Sequence, residues 1–185
     1  APKLNVDKSK EFFSMLPFAP TDAQRRAVSE AVEDMRTGIP MSRLLQGDVG
    51  SGKTAVAAAL CHTAAANGWQ SALMAPTGIL AEQHYQSLRE LLEPAGIRVA
   101  LLTGSTTAAQ KRDILEQLKE GTIQLAVGTH ALLQESVVFQ NLGLVITDEQ
   151  HRFGVEQRAA LASKGQNAHI YVMSATPIPR TLALM

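Results

Sequence analysis

With 185 residues the chain has room for one domain rather than two, at roughly 150 residues per domain. A composition of 45% hydrophobic and 18% charged residues excludes general disorder, and the balance of 17 basic against 17 acidic side chains excludes binding to nucleic acid by bulk positive charge, leaving only a local surface for it. The single cysteine excludes an internal disulfide framework and fits a reducing compartment; with no apolar run near the roughly 18 residues of a membrane span and no signal-peptide core in APKLNVDKSK, a soluble cytoplasmic domain is expected. The first residue is alanine, as in a chain cut from a longer one.

Lys8 to Met15 reads as a short leading helix, closed by Pro17 to Pro20, so residues 1–20 form a leading helix and linker and residues 21–185 the main domain. Thr21 with Gln24 three residues on is a capping box, opening a helix to about Arg36 that Gly38 and Pro40 end. Ser42 to Gln46 is a strand; the glycine-rich stretch Gly47 to Gly52 follows, then an alanine-rich helix from Lys53 to about Ala66. Ser71 to Ala75 is the next strand, Ile79 to Leu92 a helix, Arg98 to Leu102 a strand and Ala108 to Lys119 a helix stopped by Gly121. Ile123 to Val127, Leu142 to Thr147 and Ile170 to Met173 complete the strands. They are continuous apolar runs, the pattern of strands covered on both faces, and the β-α-β-α order predicts a doubly wound, mostly parallel α/β sheet with helices on both faces. Ligands of such sheets gather at the carboxyl ends of the strands, where Gly47, Pro76, Gly104, Gly128 and Asp148 all fall.

Gly47, Asp48, Val49, Gly50, Ser51, Gly52, Lys53 and Thr54 match the phosphate-loop pattern G-x-x-x-x-G-K-[ST] at every specified position. Its glycines let backbone N–H groups turn inward around phosphates, and the following helix adds its N-terminal dipole. Lys53 brings positive charge to the β- and γ-phosphates of ATP, and the Thr54 hydroxyl is a Mg²⁺ ligand. Asp148 and Glu149 end the apolar strand Leu144 to Thr147; the aspartate suits the metal and the glutamate the attacking water, the other reading being a solvated acidic turn. Ser174, Ala175 and Thr176 end a further strand, as a bridge from the carboxylates to a moving surface or as a turn capping the next helix.

Phe18 and Gln24 offer an aromatic face and an amide to an adenine edge; equally they read as a core aromatic and a helix cap. Pro76-Thr77, Thr103-Gly104 and Gly128-Thr129-His130 end strands on the same rim with the small hydroxyls and backbone N–H groups that position nucleic-acid phosphates, or are ordinary turns. Cys61 reads as a buried inert thiol, the methionines as core and Trp69 as packing under a turn. His62, His84 and His169 lack metal-ligand spacing and read as surface or satisfied histidines.

Phosphate loop, Asp-Glu-x-His and Ser-Ala-Thr in this order resemble motifs I, II and III of the superfamily 2 helicases and translocases. The longer stretches Leu44 to Thr54, Gly128 to Leu132, Asp148 to Val155 and Ser174 to Thr181 are similar to those of the RecG family of bacterial branched-DNA helicases, over about Phe18 to Met185. The transcription-repair coupling (Mfd) family shares much of this but reads Asp-Glu-Glu-His; Gln150, followed by Gln157-Arg158, favours the RecG family. The resemblance implies a RecA-like lobe with ATP phosphates on Gly47 to Thr54, Mg²⁺ held through Thr54 and Asp148, and Glu149 as catalytic base. It implies that Gln150 and His151 couple hydrolysis to movement, with Ser174, Ala175 and Thr176 in the same coupling role. Phe18 and Gln24 match the family's adenine-side motif, and Pro76-Thr77, Thr103-Gly104 and Gly128-Thr129-His130 its DNA-facing motifs. Gly78 departs from the pattern, standing where the family usually has Glu. The partners implied are branched double-stranded DNA, a wedge domain and a second RecA-like lobe, the last supplying arginines to the transition state. No membrane partner is expected. Outside the RecG family, the sequence is compatible with the Mfd-type translocase lobe, with a nucleotide switch that does not move along DNA, and less readily with a small-molecule kinase, for which no lid or acceptor site is evident.

Overall fold

In the computed structural model, residues 1–46, 50–149 and 155–174 are described, with the side chains of Gln46, Gly50, Ser51 and Glu149 set aside. Gly47, Asp48, Val49, Gln150, His151, Ala175 and Thr176 therefore lie outside the described residues. A six-stranded sheet runs through the middle: β1 (Ser42–Gln46), β2 (Gln70–Met74), β3 (Val99–Leu102), β4 (Leu125–Gly128), β5 (Leu142–Glu149) and β6 (His169–Ser174). Its order is β1-β6-β5-β2-β4-β3 and every neighbouring pair is parallel. The helices are α1 (Ser9–Ser14), α2 (Asp22–Arg36), α3 (Gly50–Ala66), α4 (Gly78–Leu92), α5 (Ala108–Glu120) and α6 (Val155–Ala162).

Two apolar clusters sandwich the sheet. Phe12 and Phe13 of α1, Val28 and Met35 of α2, Leu60 of α3 and Leu88 of α4 pack on one face, with Leu73, Ile146 and Tyr171. Leu118 of α5 and Leu161 of α6 close the other, with Met74, Leu102 and Val145. The chain is thus doubly wound, as expected. Helix α3 is apolar all round and is correspondingly buried, Ala55 to Leu60 having essentially no exposed surface. Its run of alanines allows a backbone to sit close between α2, α4 and the sheet.

Local chemistry sets the ends of the helices. Thr21 and Gln24 form the expected capping box on α2, and Thr107 with Gln110 forms a second on α5. Gly121, at φ +84°, closes α5 in the left-handed region that glycine enters without strain. Besides shifts of a residue or two at other element ends, and helix α6, which was not expected, these details differ from the sequence expectation. Strand β4 is Leu125–Gly128 rather than 123–127, because Gln124 and Leu125 both donate backbone N–H groups to the Arg98 carbonyl as the ladder begins. Helix α3 starts at Gly50, inside the phosphate-loop pattern, rather than at Lys53. Met15 is half exposed instead of core, since α1 ends just before it.

Candidate nucleotide site and strand-end rim

A parallel sheet places all its carboxyl ends on one edge, and the strand order divides that edge into two halves. The ends of β1, β6 and β5 lie together: Gln46 is abreast of Ser174, and Ser174 abreast of Glu149. The ends of β2, β4 and β3 make the other half, where Met74, Gly128 and Leu102 are abreast. Of the described residues, Lys53 and Asp148, assigned by sequence to the nucleotide, fall on the first half, and Pro76, Thr103 and Gly128, assigned to DNA, follow or end the strands of the second. The seam between the halves is the β5–β2 pairing, with Thr147 opposite Met74.

On the first half, Lys53 leaves the first turn of α3 and its ammonium donates to the Ser174 carbonyl oxygen, which puts the charge over the end of β6. Thr54 follows on the same turn, partly buried. Asp148 is nearly buried at the end of β5, its side chain 12% exposed, and its Oδ2 lies 2.6 Å from His84 Nε2. His84 belongs to α4, two turns beyond the helix start, and is itself only 19% exposed. This histidine was not among the site residues read from the sequence. One signal for it was there: it occupies the stripe Ala81, His84, Leu88 that otherwise faces the core. Among the described residues no group of three or more His, Cys, Asp or Glu side chains clusters as a metal site.

Gln24 is the helix cap that was one of its two readings, and it makes a second contact to the start of α3. Its Oε1 accepts from the Thr21 N–H at 2.8 Å, completing the cap, while its Nε2 donates to the Gly52 carbonyl at 3.3 Å. A Cβ on Gly52 would come within 3.2 Å of that amide, so the bare glycine lets α2 and the start of α3 approach. Phe18 is 45% exposed and is not a core aromatic.

On the second half, the threonines act first as turn formers. Thr77 Oγ1 accepts from Leu80 N–H and caps α4; Thr103 and Thr106 close a turn through the Thr103 N–H; Thr129 Oγ1 accepts from Ala131 N–H. Pro76 and Thr103 are partly buried, while Thr77, Gly104 and His130 are exposed on this rim. Gly128 is buried, and a Cβ there would run into the Leu102 carbonyl oxygen, so strand packing alone demands glycine. Gly78 has open space around it.

The remaining singled-out residues are structural. Cys61 is buried, which pushes its thiol up to about 12. His169 is fully buried, accepting the Met41 N–H on Nδ1 at 2.9 Å with Nε2 at 2.7 Å from the Pro2 carbonyl. Trp69 stacks on that ring and packs over Gly143. His62 lies against Phe12 with its Nδ1 buried and unbonded.

The model of the DEAD/DEAH box helicases matches residues 21–185. The chain belongs to that family. Among curated helicases of this kind, it is 55% identical over its whole length to the ATP-dependent DNA helicase RecG of Aquifex aeolicus, covering 24% of that protein. It is 56% identical over 97% of its length to RecG of Staphylococcus epidermidis, covering 26% of it. The chain thus spans about a quarter of the length of the curated relatives it matches. A solved structure of RecG bound to a three-way DNA junction superposes on 99% of the chain with a TM-score of 0.85 at 50% identity, using 25% of that RecG chain. The helicase MrfA bound to DNA and AMPPNP superposes on 97% of this chain and 27% of its own, with a TM-score of 0.70; at 18% identity the likeness is one of fold. The expected RecA-like helicase lobe, similar to the first lobe of RecG, is borne out by these matches. Among the described residues, no helix is long and apolar enough to cross a membrane.

Proposed function

We propose that this chain, residues 21–185 above all, is the ATP-binding motor lobe of a RecG-like DNA helicase that remodels branched DNA, such as stalled forks and Holliday junctions, in recombination and repair. The observation that carries the reading is the convergence of Lys53 and Asp148 on the adjoining ends of β6 and β5, in a chain half identical to a RecG held on a DNA junction. The donor set fits a magnesium nucleotide. An ammonium at the start of a helix suits phosphate, and a nearly buried carboxylate at the adjoining strand end suits a hard cation.

In this reading Gly47 to Thr54 hold the phosphates, Thr54 and Asp148 hold Mg²⁺, and Phe18 and Gln24 flank the adenine. Glu149 takes the proton of the attacking water. Gln150, His151 and Ser174 to Thr176 pass the change on to the DNA grip. Mg-ATP supplies the phosphoryl group and the metal charge that neutralises it. Pro76-Thr77, Thr103-Gly104 and Gly128-Thr129-His130 contact the DNA backbone from the second half of the rim. The working enzyme is cytoplasmic and bacterial, and combines this lobe with a second RecA-like lobe and a wedge domain.

The test is hydrolysis by the full-length protein on forked and linear duplexes. Forked DNA should stimulate the ATPase at least tenfold more than linear duplex. Glu149→Gln should keep Mg-ATP affinity and lose turnover, while Lys53→Ala should lose the affinity itself. Equal stimulation by both DNAs removes the branched-DNA reading. Unchanged affinity in Lys53→Ala removes the phosphate-loop assignment.

A further inference from the structure

The hydrogen bond between His84 and Asp148 crosses the seam of the strand-end rim. Asp148 stands on β5, in the half that carries the nucleotide residues; His84 stands on α4, which grows from the end of β2 in the other half. The same helix begins at Thr77, whose hydroxyl caps it. From Thr77 to His84 is seven residues, two turns or about 10 Å of helix axis, and puts both residues on one face. Ala81, Leu88 and Leu92 bury that helix against the core, so α4 moves as a rod with its cap. A single rigid element thus has an exposed strand-end loop at one end and a hold on the Asp148 carboxylate two turns in.

A carboxylate at a strand end can turn about its side-chain torsions, and each orientation offers a metal a different oxygen geometry. A ring N–H at 2.6 Å fixes that orientation. Hydrogen-bond partners of this kind change metal affinity by roughly 10–100-fold when removed. Hence, resting on the reading above, we infer that His84 is a positioning residue for Asp148, through which displacement of the Pro76-Thr77 loop by a DNA phosphate adjusts the hold on Mg²⁺.

The experiment is calorimetry of ADP on the full-length protein, titrated at a series of Mg²⁺ concentrations, without DNA and with a saturating forked duplex. In the wild type, the Mg²⁺ concentration for half-maximal enhancement should shift when the fork is present. His84→Leu should raise that concentration at least tenfold without DNA, leave Mg²⁺-free ADP affinity unchanged and abolish the fork-induced shift. His84→Gln, which keeps an N–H donor, should recover much of the Mg²⁺ response, and its Mg²⁺-free ADP affinity verifies the fold where the leucine variant fails to assemble. A Mg²⁺ response in His84→Leu equal to the wild type's overturns the positioning role. A fork-induced shift that survives in His84→Leu overturns the link to the DNA loop. Asp148→Asn separates the two levels: if it leaves the Mg²⁺ response intact, the metal-site reading itself falls, whereas a loss there with none in His84→Leu sinks only this inference.

Discussion

The two histidines bonded on buried ring nitrogens have opposite characters. His84 faces a carboxylate, whereas His169 is clamped between a backbone N–H and a carbonyl, which requires the neutral ring with its proton on Nε2. Burial is the main cause lowering the His169 pKa, partly offset by its bond to the Pro2 carbonyl. The folded chain therefore binds this proton less readily than the unfolded chain does. Stability is retained above the unfolded value near 6.5 and declines as the pH falls below it towards the folded value. His62, whose pKa burial also lowers, adds in the same sense. The melting temperature should accordingly fall between pH 7 and pH 5.5, and His169→Gln should flatten the slope. Trp69, the only tryptophan, stacks on the His169 ring at 5.7 Å, so its fluorescence should register the same transition. A slope identical in wild type and variant would assign the pH dependence elsewhere.

At the level of elements, the first turn of α4 contains no acidic residue, although a helix N-terminus favours one, and begins with glycine. Gly78 has neither a positive φ nor a neighbour within reach of a Cβ. Gly78→Glu should thus stabilise the domain by about 0.5–1 kcal/mol, from helix propensity and the dipole together. Chemical denaturation measures this, and a lower midpoint would mean that the loop needs its glycine. The elements differed in how far they could be read from sequence, for identifiable reasons. Strand β1 was legible to the residue because Pro40 and the glycine-rich stretch from Gly47 bracket it, and α2 and α5 because a capping box opens the one and Gly121 stops the other. Helix α6 was missed: only Leu161 and Ala162 are buried and Val155 is largely exposed, so no apolar period marks it. Lys53 and Thr54 stood out because the phosphate-loop pattern is one of local spacing, and Asp148 because it ends an apolar strand. The His84–Asp148 bond was not, because it joins residues 64 apart whose meeting depends on β5 lying beside β2.

For the molecule as a whole, the proposed reading makes this chain part of a motor. Phosphoryl transfer needs positioned phosphates, a metal, an oriented water and neutralisation of the transferred group. The first three can be assigned to Gly47 to Thr54, Asp148 and Glu149. The family resemblance assigns the fourth to arginines of a second lobe, a contribution worth roughly 10³–10⁵ in rate among phosphate-loop enzymes. Arg152, Arg158 and Arg180 lie within or after motifs whose family role is coupling, so they are poor candidates for it. Movement along DNA further requires two lobes that close on nucleotide and reopen, and this chain matches only about a quarter of its relatives' length. Its 17 basic and 17 acidic side chains leave DNA attraction to the rim loops, so binding should be weak and steeply salt-dependent. The 185 residues alone should therefore bind ADP with modest affinity, hydrolyse ATP with little or no response to forked DNA, and unwind nothing. Strand-displacement assays on a three-way junction, with the Lys53→Ala variant as a control for contaminating helicase, provide the measurement. Branch-specific unwinding by the wild-type chain that disappears in that variant would mean that one lobe suffices, and the two-lobe account would have to be given up.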